Sequence, residues 1–227
     1  MDQAEVIASV LERSMYSDEE RAQYSKIIAD FNKLYHKLDR QTWCATQWKG
    51  INVLKPPTDL WVYQEIIERL KPELIIETGS MRGGSAVFLD DVCKLMNPDS
   101  QVISIDINKD NINPKAFESD VIFMTGSSVD EEIVDQLKAH IRANEIKKVM
   151  VILDSDHSEE HVTNELNVYG PMVTKGMALI VEDTGNCYSA QVAVERWLLD
   201  HPEYKIDYGC EKFMLTFSRG GFLERVA

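Results

Sequence analysis

Cysteine is scarce in this chain and scattered. Cys44, Cys93, Cys187 and Cys210 form no CxxC pair, which argues against a zinc site built from them and fits reduced, buried thiols. Basic residues are in deficit, with 24 Lys and Arg against 38 Asp and Glu and a formal net charge of −14. That balance, with no Lys/Arg cluster of the size required, argues against a duplex or phosphate-backbone partner, which needs a basic face. No apolar run approaches the roughly 20 residues that span a bilayer. The amino terminus, MDQAEVIASV, lacks the basic n-region and apolar core of a signal peptide, so a cytoplasmic protein is expected. Internal repeats and low-complexity tracts are also missing. What is present is ordinary globular material. The 227 residues are 44% hydrophobic and 27% charged, enough for one α/β domain with an added element and no need of disulfides.

Residues 1–45 contain neither glycine nor proline and are read as a helical arm, with a second domain over 46–227. Val6, Val10 and Leu11, then Ile27, Ile28, Phe31, Leu34, Tyr35 and Leu38, recur at helical spacing, and Ser17 before three acids is a helix start. Such an arm serves to cover a cleft, to join two subunits, or simply to lie on the sheet, and self-association is expected on that ground. Thr42–Trp61 then changes character, with three of the four tryptophans and Pro56-Pro57. The proline pair is read as excluding a helix there, and Thr58 or Asp59 as the cap of a helix over Leu60–Leu70.

Beyond this the chain alternates. Strands are expected at Leu74–Glu77, Val102–Asp106, Val121–Thr125, Val149–Asp154 and Ala178–Glu182. The helices expected between and after them are Ala86–Met96, Glu131–Asn144, His161–Tyr169 and Ala190–Asp200. Asn108–Ser119 holds at most a turn of helix. Tyr204–Tyr208 and Met214–Ser218 are read as a closing hairpin. Val- and Ile-rich strands separated by amphipathic helices indicate an α/β fold with a mostly parallel, doubly wound sheet. Right-handed crossovers then put the strand ends carrying Glu77, Asp106, Gly126, Asp154 and Glu182 on one edge.

Two constellations occupy that edge. In the first, Glu77-Thr78-Gly79 leads a loop with Gly83 and Gly84, where backbone can approach a ligand closely. Asp106 lies 27 residues past Gly79, where an acid would bond the two hydroxyls of a ribose. The loop reads E-x-G-x-x-x-G-G and not G-x-G-x-x-G, and its leading acid repels phosphate. It suits the amino and sulfonium groups of S-adenosylmethionine better than a dinucleotide. In the second, LDSDHSEEH and IVEDT bring Asp154, Asp156, Glu182 and Asp183 to neighbouring strand ends, an oxygen-rich set for Mg²⁺ or another hard cation. Each of these acids singly is also a plausible helix cap. His157 is a candidate general base toward an acceptor hydroxyl, whereas His161 is read as structural.

Four segments carry a specific resemblance. They are W-K-G-I…K-P-P-T-D-L-W-V-Y-Q-E (Trp48–Glu65), I-E-T-G-S-x-R-G-G-S (Ile76–Ser85), L-D-S-D-H-x-x-x-H-V (Leu153–Val162) and V-E-D-T (Val181–Thr184). With the terminal G-G-F-L-E-R, the chain resembles the cephalosporin hydroxylase family of class I S-adenosylmethionine-dependent O-methyltransferases, which includes rhamnosyl O-methyltransferases. The resemblance implies a Rossmann-like seven-stranded sheet with an antiparallel carboxyl-terminal strand. It implies methyl transfer to a small natural product or sugar, and it places the methyl donor against Glu77, Thr78, Gly79, Ser80, Gly83 and Ser85. Asp106 would take the ribose, Ser127 or Ser128 would lie near the adenine, and Asp154 would border the cofactor. The metal would fall to Asp156, Glu182 and Asp183, with Asp154 a rival for the first place and Asp156 and His157 catalytic. No 2-His-1-carboxylate pattern accompanies the family's "hydroxylase" label. A non-catalytic cofactor-binding accessory subunit and an NAD-dependent oxidoreductase stand as alternatives.

Overall fold

The structure, a computed structural model, describes residues 18–36 and 42–227. They divide into two compact units at Trp43/Cys44. The expected helical residues Val6, Val10, Leu11, Ser17 and Leu38, and the acidic amino terminus, lie outside the described residues. In the first unit, helix α1 (Asp18–Tyr35) carries Ile27, Ile28, Phe31 and Leu34, and Phe31 stacks on Tyr35 one turn later.

The second unit opens with a two-stranded antiparallel hairpin, β1 (Gln47–Trp48) and β2 (Ile51–Asn52). Helix α2 follows over Pro57–Leu70. Pro57 does not exclude this helix but starts it: with Pro56 as the extended N-cap, Pro57 takes the first helical position, where a missing N–H costs nothing. Nor do Thr58 and Asp59 cap it. The Thr58 hydroxyl donates to the Leu215 carbonyl at 2.6 Å, and Asp59 accepts the Phe217 amide at 2.9 Å.

Seven strands then form one sheet in the order β5-β4-β3-β6-β7-β9-β8. They are β3 (Leu74–Thr78), β4 (Gln101–Asp106), β5 (Ile122–Thr125), β6 (Val149–Leu153), β7 (Ala178–Val181), β8 (Tyr204–Ile206) and β9 (Phe222–Arg225). The first five are parallel, and β9 is antiparallel to both β7 and β8. The doubly wound, partly antiparallel sheet is therefore as expected, with one correction. Met214–Ser218 is not a strand; the partner of Tyr204–Ile206 is Phe222–Arg225. The amide of Phe217 is taken by Asp59, and its carbonyl accepts the Gly185 amide at 2.7 Å, so this stretch ties α2 to the loop after β7.

Helices α3 (Gly84–Met96), α4 (Glu131–Ala143), α5 (Glu159–Tyr169) and α6 (Tyr188–Asp200) complete the frame. Alternate residues of each strand serve opposite layers. Leu74, Ile76, Val149, Val151 and Leu179 pack with Leu137, Leu166 and Trp197 of α4, α5 and α6. Ile75, Met150, Ile152 and Ile180 pack with Tyr63, Ile66, Leu89 and Val92 of α2 and α3. Burial on both faces explains why β3, β6 and β7 read as continuous apolar runs. Asn108–Ser119 contains two short 3₁₀ turns, Lys109–Asn111 and Pro114–Glu118. Among the described residues no helix is long and apolar enough to cross a membrane.

Candidate active site

The strand order reverses between β3 and β6, and it is there that an open sheet leaves a crevice at its carboxyl edge. Gly79 closes the floor of that crevice. Its amide donates to the Ile105 carbonyl at 2.7 Å, its φ is +84°, and a Cβ built on it would stand 1.9 Å from the Asp154 carbonyl oxygen. Only glycine fits so close to another backbone. Thr78 accepts the Asp154 amide through both its carbonyl and its hydroxyl oxygen, at 3.1 and 3.2 Å. The Gly79 loop and the residues after β6 are thus one rigid piece.

Glu77 sits inside it, fully buried. Ser104 Oγ donates to Glu77 Oε2 at 2.7 Å and is itself 2.7 Å from Ser80 Oγ, while Glu77 Oε1 has no hydrogen-bond partner. Burial pushes the Glu77 carboxyl up to about 7 against the opposing charge of Lys55. Gly83 caps α3 and Ser85 is buried in its first turn. Asp106 organises the loop: its carboxylate oxygens accept the amides of Met81 and Asn108, both at 2.8 Å. Ser127 is half-buried. Ser128 is buried, with Oγ 3.2 Å from His161 Nε2 and its carbonyl accepting the Tyr169 hydroxyl at 2.6 Å.

The acids at the ends of β6 and β7 divide into two groups. Leu153 pairs with Val181, so Asp154 and Glu182 follow side by side. One group faces outward: an oxygen of Asp154, an oxygen of Asp183 and a ring nitrogen of His157 all lie within 4.8 Å of one another. His157 Nε2 is 3.0 Å from Asp183 Oδ2 and 3.9 Å from Asp154 Oδ1. Asp183 holds a φ of +58°, in the left-handed region that aspartate enters more readily than most side chains. Burial alone would lower the His157 pKa, but Asp183 and Asp154 outweigh it and hold the imidazole above its usual value. For Asp183 burial acts upward, and the bonds from His157 and Asn186 overcome it, leaving the carboxyl below its usual range.

The other group faces inward on Lys55, which is 2% exposed. Its ammonium is 2.5 Å from Asp154 Oδ2 and 2.9 Å from Glu182 Oε1. The second oxygen of Glu182 accepts from Ser218 Oγ at 2.9 Å. Burial acts to lower the Lys55 pKa, but Asp154, Glu182 and Glu77 more than reverse this. Asp156 joins neither group; it is exposed and accepts the Ser158 amide at 2.7 Å, and the Ser158 hydroxyl and amide together hold its carboxyl below the usual range. The structure therefore brings Asp154, His157 and Asp183 together, turns Glu182 to a lysine and leaves Asp156 outside.

Sequence reasoning missed Lys55 altogether. A single lysine beside Pro56-Pro57 reads as a surface residue; its signals are the apolar company of Ile51, Val53 and Leu54 and its place at the head of the K-P-P-T-D-L-W segment that carries the resemblance. Sequence reasoning read Asp59 only as a candidate helix cap, whereas the side chain is 1% exposed and beside the same cluster. Burial and the charge of Glu182 push its carboxyl up to about 7.

A family model described as Rhamnosyl O-methyltransferase/CmcI matches residues 40–226. The chain belongs to that family. A rhamnosyl O-methyltransferase of Mycobacterium leprae (strain TN) is 35% identical over 213 residues, covering 88% of this chain and 90% of that one. The counterpart of Mycobacterium tuberculosis (strain ATCC 25618 / H37Rv) is 33% identical over 211 residues, covering 88% and 85%. Among solved structures, CmcI in an apo form superposes with a TM-score of 0.66 at 25% identity, over 81% of this chain and 77% of that one. CmcI with Mg and SAM gives 0.65 at 21% identity, over 86% and 84%, and the O-methyltransferase NovP gives 0.57 at 14%, over 91% and 99%. The last two speak to the fold. Membership in the rhamnosyl O-methyltransferase/CmcI family makes the chain an O-methyltransferase and agrees with the motif resemblance.

Proposed function

We propose that the chain transfers the methyl group of S-adenosylmethionine to a hydroxyl of a sugar or sugar-bearing natural product, with Mg²⁺ held at Asp154 and Asp183. The observation that carries this reading is the placement of Asp154, His157 and Asp183 against the Gly79 loop. The donor set suits a hard cation: two carboxylates in reach of one point, with no thiolate among them. The crevice suits the methyl donor, since the Gly79 turn lies where the strand order reverses and an acid, Asp106, ends the next strand. When bound, the cation would favour the ionised form of an acceptor hydroxyl and help orient it.

The chain's own residues supply the rest. Asp183 fixes His157 through Nε2 at 3.0 Å, which leaves Nδ1 of the neutral ring as the base for the acceptor's proton. Lys55 neutralises the inward faces of Asp154 and Glu182, so that two adjacent acids coexist at the strand ends. The carbon–sulfur bond breaks, a carbon–oxygen bond forms and the hydroxyl proton passes to His157, leaving a methyl ether and S-adenosylhomocysteine. Rhamnosyl O-methyltransferase is the name of the curated relatives, and it supports a deoxysugar as the first acceptor class to try.

Calorimetric titration with S-adenosylmethionine, with and without Mg²⁺ and with NAD⁺ as control, tests the reading. Micromolar binding of the methyl donor and none of NAD⁺ is expected. Methyl transfer to a rhamnosyl glycoside should need Mg²⁺ and disappear in Asp183→Asn, while donor binding survives. Heat with NAD⁺ and silence with the methyl donor would overturn it.

A further inference from the structure

One fully buried acid has no part in the chemistry above. Glu165, on α5, is 0% exposed. Its Oε1 accepts from Ser155 Oγ at 2.7 Å and lies 3.5 Å from His161 Nε2, while Oε2 has no hydrogen-bond partner. His161 Nε2 in turn lies 3.2 Å from Ser128 Oγ, and the Tyr169 hydroxyl donates to the Ser128 carbonyl at 2.6 Å. His161, Glu165 and Tyr169 are spaced four apart and so form one stripe of the helix. That stripe grips two separate loops. Ser155 follows Asp154, whose carbonyl backs Gly79. Ser128 closes the Gly126–Ser128 turn after β5, which β4 and β3 separate from β6.

A buried carboxylate with one oxygen unpaired is a poor stabiliser, because its desolvation is not fully offset. An apolar side chain would pack that site at less cost. What the acid provides is the fixed placement of the two loops it reaches, directly for Ser155 and through His161 for Ser128. We propose that Glu165 is a positioning residue for the methyl-donor site, holding the loops after β5 and β6 at the spacing that the donor's two ends require. This rests on the methyltransferase reading above.

The test compares Glu165→Leu, Glu165→Gln and Ser155→Ala, reading S-adenosylhomocysteine affinity by calorimetry, thermal midpoint, and amide exchange of residues 126–128 and 154–158 without ligand. Losing a hydrogen bond to a charged group should weaken ligand binding by about tenfold in Glu165→Leu. Exchange should quicken in both loops, with a midpoint at or above that of the natural chain. Glu165→Gln keeps an oxygen for Ser155 and should restore affinity to within about threefold. Ser155→Ala, which leaves the acid in place, should weaken binding and quicken exchange at 154–158 alone, and it decides the matter should Glu165→Leu fail to fold. Affinities within twofold of the natural chain in both Glu165→Leu and Ser155→Ala overturn the inference and leave the methyltransferase reading standing. A natural chain that does not bind S-adenosylhomocysteine overturns both.

Discussion

Lys55 brings one positive charge to Asp154, Glu182, Glu77 and Asp59, and the surplus of acid has a visible consequence. Asp59 and Glu77 are held at about 7 by burial, so near neutrality each keeps a proton that it would release near pH 4 in an unfolded chain. Between those values the folded state binds more protons than the unfolded one. The free energy of unfolding therefore falls as pH rises through that window, by at most about 1.4 kcal/mol per unit for each group. Urea unfolding at pH 5, 6, 7 and 8 in chelator should show that decline. Asp59→Asn, which keeps an oxygen for the Phe217 amide, should flatten it and leave the variant the more stable at pH 8. An unchanged slope would remove Asp59 from the account. Lys55→Met should do the reverse, leaving Asp154 and Glu182 without their cation at a cost of about 3–5 kcal/mol. A second change, Glu182→Gln, should recover part of that loss in the same urea titration. Neither residue shows its role in the sequence, because a lysine or an aspartate beside prolines is ordinarily solvated, and only the fold buries them.

At the scale of elements, legibility follows length and burial. The five parallel strands are rich in apolar residues, and each is found within two residues of its expected limits, as are α3 to α6; the first turns of α2, α3, α5 and α6 begin two or three residues before expectation. Pro57, Gly84, Glu159 and Tyr188 start those turns, and their first residues carry no periodicity. The two-residue strands of the β1–β2 hairpin give no pattern at all, and Met214–Ser218 has the composition of a strand without the partners. The hairpin is nonetheless a working part, since it presents the segment that carries Lys55. Its seat is α3: Trp48 Nε1 donates to Asp91 Oδ2 at 2.7 Å, and a Cβ on Gly84 would stand 2.2 Å from the Asn52 carbonyl oxygen. Gly84→Ala must push the hairpin off the helix. Faster amide exchange over residues 47–55 and weaker Mg²⁺ binding are expected, with the strands of the main sheet still protected. Protection unchanged at the hairpin would show that the close approach is dispensable.

For the whole molecule, the sequence and the fold agree on a crevice at the carboxyl edge but divide on which acids face it. The agreement arises because strand order and chain direction put Gly79, Asp106, Ser128, Asp154 and Asp183 on one edge whatever their rotamers. The division arises because LDSDH and VED each offer two acids, and the choice between neighbours depends on Lys55 and Ser218, contributed from 99 and 36 residues away. A global measurement can test the assembled edge. A ligand held at a hundred times its Kd stabilises the state that binds it by about 2.7 kcal/mol, which for a domain of this size raises the melting midpoint by roughly 5–11 °C. S-adenosylhomocysteine should give such a rise and NAD⁺ none. With a formal charge of −14, the chain also gains from any cation that screens its self-repulsion, so Mg²⁺ must be compared with NaCl at equal ionic strength. A rise in excess of the salt effect, lost in Asp183→Asn and kept in Asp156→Asn, would assign the cation to the outward cluster. Loss in Asp156→Asn instead would mean that the loop after β6 turns Asp156 inward when the cation binds.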